Sequence, residues 1–222
     1  SYHTCRGYCS FSPSTVKSFY HSRKIQADTN FRTMKIKYLN GQRLYYAVLA
    51  GGSAVIKDKN YLNRINVFPV HDSDTGTNLA STMHSIAEKA FPYPSIKKTL
   101  YSIADAALMG ARGNSGLIFA QFMHGFSREI RTEMRAGTQA FAEGVRRAVH
   151  YATQAIVTPV EGTMITVMRD WVQAIETHSQ KSTDFFHILH ESLQAARQSL
   201  KDTPRKLKVC LLYTSPSPRD RT

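Results

Sequence analysis

Across residues 34–209, apolar side chains return every third or fourth position, and no stretch alternates with the period of two that a half-buried strand requires. Leu79, Met83, Ile86, Ala87 and Ala90 fall on one helical face, and Ile96, Leu100, Ile103 and Ala107 on another. Phe141, Val145, Ala148, Val149, Ala152 and Ile156 continue the pattern, with Glu143, Arg146 and Arg147 facing elsewhere. Met164, Met168, Trp171, Val172 and Ile175 form a further stripe. Phe185, Leu189, Leu193, Ala196 and Leu200 form the last, with Asp184 or Thr183 placed to cap it. Residues 117–130 read as one more helix, apolar enough to be central. The expectation is an all-α protein, an antiparallel bundle of about eight amphipathic helices with short connections. No internal repeat is evident.

The chain has 222 residues, enough for one sizeable core with or without tails, and no apolar run long enough to span a bilayer. The start lacks the basic-then-apolar layout of a signal peptide, so a cytoplasmic location is expected. The formal net charge of +13 invites a nucleic-acid reading, but residues 1–33 carry +4 and residues 201–222 another +4, leaving +5 for the segment between. The charge therefore favours no specific nucleic-acid partner. Cys5, Cys9 and Cys210 all lie in these tails; Cys5 and Cys9 lack a second Cys/His pair at zinc-site spacing.

Both tails differ from the patterned core. Residues 1–33 are rich in Ser, Tyr, His and Arg without an apolar period, and Met34 opens the patterned segment. Met34 reads as the true start and residues 1–33 as translated leader, a disordered basic arm being the alternative. At the other end, Cys210-Leu-Leu-Tyr-Thr-Ser-Pro-Ser-Pro-Arg-Asp220 resembles an in-frame translation of a transposase adapter used in sequencing libraries. On that expectation residues 210–222 are adapter-derived and residues 34–209 are a domain cut short at its C-terminus. The alternative is a Pro/Ser-rich linker.

Three loops run straight into helix starts. They are Asn66-Val-Phe-Pro-Val-His-Asp-Ser-Asp-Thr-Gly-Thr-Asn78, Gly110-Ala-Arg-Gly-Asn-Ser-Gly116 and Thr158-Pro-Val-Glu-Gly-Thr163. Loops feeding helix N-termini are where a helical scaffold holds anions. Asp72 and Asp74, two apart in an extended segment, project to one side and offer hard oxygens suited to Mg²⁺. Gly76 permits close backbone approach to a phosphate. A capping and solvating role for the two aspartates is the plainer alternative. The second loop can form a concave row of amides; it is neither a Walker A loop nor a nucleophile elbow. In the third, Thr163 can cap a helix or face a ligand, and Met164 can pack in the core or line an adenine pocket. His187-x-x-His190-Glu191 has helical ligand spacing but no third ligand, and reads as part of an amphipathic helix.

Asn-Val-Phe-Pro-Val-x-Asp-x-Asp-Thr-Gly-Thr-Asn, Gly-Ala-Arg-Gly-Asn-Ser-Gly and Thr-Pro-Val-Glu-Gly-Thr-Met occur here in that order. Together they resemble the dihydroxyacetone kinase L-subunit family, and most of all the N-terminal domain of the fatty acid kinase catalytic subunit. The resemblance covers residues 34–209. It implies an antiparallel α-helical barrel with Mg–ATP or Mg–ADP at one end. It implies Asp72 and Asp74 as Mg²⁺ ligands, with Asn66 at the place of a third aspartate and able to add a carbonyl oxygen. Thr75, Gly76, Thr77 and Asn78 would contact phosphates, Asn114 and Ser115 phosphate or ribose, and Gly162, Thr163 and Met164 the adenosine. His71 replaces the usual Pro of the kinase pattern and Ser73 the usual Gly. Residues 203–209 resemble the approach to a final Asp-Ala-Gly-Gly nucleotide-contacting segment, which the adapter-like sequence replaces.

The reaction so implied is transfer of the ATP γ-phosphoryl group, which needs positioning and charge neutralisation. In the fatty acid kinase branch the acceptor is a carboxylate presented by a separate fatty-acid-binding partner. In the other branch it is dihydroxyacetone. The Asn-Val-Phe-Pro-Val and Pro-Val-Glu-Gly-Thr motifs favour the first. Arg112 is the candidate cation near the transferred phosphate, with an ordinary surface Arg as the alternative. A non-catalytic ADP-binding module and a homodimer both stay open.

Overall fold

The computed structural model describes residues 35–66 and 72–207. The readings made of residues 1–33, Met34, His71, the three cysteines and residues 210–222 lie outside the described residues. The helices are α1 (Gly41–Lys57), α2 (Lys59–Arg64), α3 (Thr75–Lys89), α4 (Ile96–Gly110), α5 (Gly113–Glu129), α6 (Thr138–Gln154), α7 (Met164–Ser179) and α8 (Phe185–Lys206). The all-α expectation holds. One antiparallel strand pair, β1 (Leu39–Asn40) and β2 (Arg135–Ala136), sets Leu39 opposite Ala136 and Asn40 opposite Arg135. Two residues per strand are too few to leave a period in the sequence.

Long helices adjacent in sequence pack against each other, and α1 lies on α3 and α4. Ser81 and Ser85 of α3 donate to Gly110 O and Ala106 O of α4, Gly125 of α5 and Ile130 at its end face Tyr151 and Gly144 of α6, and Thr138 and Arg146 of α6 reach Ser182 just beyond α7 and Glu176 near its end, so these neighbours run antiparallel. The alternation sends the N-termini of α3, α5 and α7 to one end of the bundle. The opposite end is pinned: Phe185 N–H donates to Ile36 O (2.9 Å), Ile36 N–H donates to Asp184 Oδ1 (3.0 Å), and Arg43 and Arg135 both lie over the Tyr38 ring.

The core is aliphatic around an aromatic spine. Ile86, Ile96, Leu100, Ile103, Ile130 and Ile175 are at most 1% exposed, each side chain contributing about 1.5–3 kcal/mol by leaving water. Trp171, Phe122, Phe126, Phe141 and Phe185 follow one another at centroid distances of 6.3, 6.4, 5.5 and 5.4 Å, linking α7, α5, α6 and α8.

Helix α8 departs from the expected stripe. It buries Phe185, Ile188, Ser192 and Ser199 and leaves Leu189, Leu193 and Leu200 exposed at 37%, 46% and 59%. Its small polar residues can be buried because their hydroxyls are satisfied, one on α7 and one within α8. Ser199 Oγ donates to Asp170 Oδ2 (2.6 Å), and Ser192 Oγ donates back to Leu189 O (3.2 Å). Ala87 on α3 likewise turns outward. Asp184 caps α8 as expected, accepting from Phe186 N–H (3.1 Å). Pro204, in the last turns of α8, has no N–H for the carbonyl of Leu200. Thr203 Oγ1 donates to that carbonyl instead (2.8 Å). Among the described residues, no helix is long and apolar enough to cross a membrane.

Candidate nucleotide-phosphate site

The first turn of a helix leaves its N–H groups without carbonyl partners, so each one in α3 can be accounted for. Asn78 N–H donates to Asp74 O (2.9 Å), and Thr77 N–H donates to Asn63 Oδ1 (3.0 Å). Asn63 also donates through Nδ2 to Thr77 Oγ1 (3.0 Å). Thr77 is therefore held by α2. The N–H groups of Thr75 and Gly76 find no acceptor among the described residues. Asp74 occupies the N-cap position, but its carboxylate makes no capping hydrogen bond.

Gly76 is needed for a reason other than phosphate approach. A Cβ there would lie 2.1 Å from Lys59 O and 2.8 Å from Asn63 Oδ1, so the absent side chain lets α2 lie against α3. Ser73 takes φ +54°, the left-handed region that glycine favours. The backbone thus keeps the conformation expected of the usual glycine.

Asn66, 9% exposed, stands behind the aspartates. Its Nδ2 donates to Asp72 Oδ1, and its Oδ1 accepts from Thr75 Oγ1 (2.7 Å). Asp72 is exposed and Asp74 half-buried. Among the described residues, no cluster of three His, Cys, Asp or Glu side chains includes them.

The second loop meets the first directly. Gly113 takes φ +52°, and a Cβ on it would lie 2.2 Å from Asn78 Nδ2. Ser115 Oγ donates to Thr75 O (3.3 Å). Gly116 N–H donates to Arg112 O (3.1 Å), while the N–H groups of Gly113, Asn114 and Ser115 have no acceptor among the described residues. Asn78 is 9% exposed, and its side-chain amide finds no hydrogen-bond partner among the described residues. Two helix N-termini with open amides, the Asn78 side chain and an aspartate pair thus share one corner. Arg112 and Asn114 are exposed at its rim, and Arg112 forms no ion pair among the described residues.

The third loop lies at the same end, but no hydrogen bond among the described residues joins it to the other two. Gly162 is buried at φ +83°, and a Cβ there would meet Thr203 O at 2.7 Å and Leu207 N at 2.8 Å. Its N–H donates to Thr166 Oγ1 (3.0 Å), which donates to Glu161 Oε2 (2.9 Å). Glu161 also pairs with Arg169. Arg169 first, then Thr166, holds the Glu161 carboxyl below the usual carboxylate range. Thr163 Oγ1 donates to Val160 O (2.7 Å) and does not cap α7. Met164 is half-buried against the core.

Asn63, Thr166 and Arg169, which hold these loops, carried no signal in the sequence. Each lies inside a helical segment without a motif, and only the fold brings it to its partner.

A family model for the DAK2 domain matches residues 69–210. The chain belongs to the DAK2 domain family. The family is kinase-related, and nucleotide binding fits the corner of α3 and α5. Among relatives of this DAK2 domain, protein YloV of Bacillus subtilis (strain 168) is 35% identical over 178 residues, covering 79% of this chain and 32% of the relative. An uncharacterized protein of Staphylococcus epidermidis (strain ATCC 12228) is 34% identical over 176 residues, covering 78% and 32%. One of Staphylococcus aureus (strain USA300) is 33% identical over 176 residues, again covering 78% and 32%. The chain thus spans about a third of the length of the curated relatives it matches.

Proposed function

We propose that this DAK2 domain binds the phosphates of ATP or ADP at the start of α3 and α5 and serves phosphoryl transfer in a larger kinase. The observation that carries the reading is Asn78. Its side chain is 9% exposed, makes no hydrogen bond among the described residues, and lies against Gly113 between two helix starts with open N–H groups, so its amide is free to meet an incoming phosphate oxygen. The amides of Thr75, Gly76, Gly113, Asn114 and Ser115 supply fixed donors for developing phosphate charge.

The donor chemistry also fits a hard cation. Asp72 and Asp74 offer two carboxylates beside the phosphate corner, and Asp74 stands at an N-cap without capping. They would hold Mg²⁺, which when bound shares phosphate charge. Arg112, exposed at the rim and without an ion pair among the described residues, fits a cation that steers the transferred group. Thr163 and Met164, at the same end, would border the adenosine.

The acceptor we propose is a fatty acid carboxylate presented by a separate fatty-acid-binding protein, giving an acyl phosphate. The Asn-Val-Phe-Pro-Val and Pro-Val-Glu-Gly-Thr motifs support this branch over dihydroxyacetone. A non-catalytic ADP-binding module is the second reading. Calorimetric titration of the full chain with ATP and ADP, with and without Mg²⁺, tests the site. Mg²⁺-dependent binding that disappears in an Asp72→Asn/Asp74→Asn double variant supports it. Nucleotide binding indifferent to that variant refutes it. ATP consumption that depends on an added acyl-loaded partner separates kinase from module.

A further inference from the structure

In the family pattern, residue 66 falls where an aspartate ligand would be, yet the Asn66 carboxamide has both ends engaged by the protein. Asp72, as a carboxylate, only accepts, so Asn66 has to present its NH₂ group to it. That choice fixes the orientation of the amide. Its oxygen then faces Thr75 Oγ1 at 2.7 Å, and the Thr75 hydroxyl proton goes to Asn66. At 9% exposure the amide has little water with which to exchange partners. Two consequences follow. One oxygen of Asp72 is anchored, leaving the other to face a ligand. The Thr75 hydroxyl has no proton left to give a phosphate and offers only lone pairs.

We propose that Asn66 is a positioning residue, not a ligand. By orienting Asp72 and reversing the polarity of the Thr75 hydroxyl, it makes Asp72, Asp74 and Thr75 the oxygen set offered to a divalent cation. This inference rests on the phosphate–cation reading above. It separates two functions of Thr75: the N–H serves the phosphate, and the hydroxyl oxygen serves the cation.

The test uses Mn²⁺ as the probe, its binding to the full chain read by electron paramagnetic resonance with and without ADP. Metal-free ADP binding is measured beside it by calorimetry. Asn66→Ala is expected to weaken Mn²⁺ binding about tenfold, the lower end of what loss of an orienting partner costs a metal site. Thr75→Val, which keeps the N–H, is expected to weaken Mn²⁺ binding similarly, and by more than it weakens metal-free ADP binding. Thr75→Ser should bind Mn²⁺ as the wild type does. Asn66→Asp removes the NH₂ donor, so it should bind Mn²⁺ no more tightly than the wild type.

Tighter Mn²⁺ binding by Asn66→Asp would make residue 66 a ligand and overturn the proposal. So would a Thr75→Val variant that loses metal-free ADP binding as much as Mn²⁺ binding, or one that binds Mn²⁺ as well as the wild type. Thermal unfolding of each variant identifies misfolding, and Thr75→Val, a near-isosteric change, decides the matter if Asn66→Ala fails to fold. If the wild-type chain binds no Mn²⁺ with ADP, the parent reading fails. If it binds and only Asp72→Asn/Asp74→Asn abolishes binding, this inference fails alone.

Discussion

Gly113 stands so close to Asn78 that a Cβ at position 113 would lie 2.2 Å from the Asn78 Nδ2 atom. The start of α5 is thereby seated on the first turn of α3. Gly113→Ala meets this clash and the penalty of φ +52°, which alone costs about 1–2 kcal/mol. The variant is expected to lose at least about 2 kcal/mol of stability in denaturant titration. ADP binding should weaken with it, because the two helix starts are pushed apart.

Ser73 gives the opposite case. Its φ of +54° is strained for any residue with a side chain. Ser73→Gly is expected to stabilise the chain by up to about 1 kcal/mol, seen as a higher melting temperature. An unchanged or lower value would mean that the serine conformation carries no strain.

Two more glycines make a matched pair. Among the described residues nothing lies within 4 Å of a Cβ built on Gly51, in the middle of α1, whereas one built on Gly76 would meet Lys59 O at 2.1 Å. Gly51→Ala should raise stability by about 0.5–1 kcal/mol through helix propensity and reduced unfolded-state freedom. Gly76→Ala should lower it by about 1–3 kcal/mol and detach α2 from α3. Parallel urea melts of the two variants check both signs.

Glu129 links stability to pH. It accepts from Tyr151 Oη (3.0 Å) and from Arg147 (3.1 Å). Tyr151 first, then Arg147, holds its carboxyl below the usual range, while the bond to Glu129 raises the Tyr151 hydroxyl above its own. The carboxylate's contribution is complete above the unfolded value, about pH 4.3, and is lost as pH falls through the lower folded value. The hydroxyl's contribution is complete below about pH 10 and is lost as pH rises through the higher folded value. Tyr151→Phe should therefore reduce stability at neutral pH and flatten both limbs of the stability–pH curve, as read by urea midpoints.

The helices were legible because a core of Ile, Leu and Phe imposes a period on long segments. Where the buried face is made of Ser192 and Ser199, the period misleads, since hydroxyls that bond back to a carbonyl or to Asp170 can be buried without looking apolar. Of the candidate site, the loop residues were visible because Gly, Asp and Thr cluster before helix starts. What each does was less visible. Gly76 and Gly162 read as backbone kept bare for a ligand, but the space beside them is filled by Lys59 and by the end of α8. Asn63 left no trace, because a contact across 14 residues depends on how α2 lies on α3.

Gly162 rests on Thr203 O and Leu207 N, so the loop before α7, already tied to Thr166 and Arg169 of its own helix, is also seated on the last turn of α8. The two act as a lever and its seat. Strain at the end of α8 is therefore expected to reach Thr163, one residue from the contact.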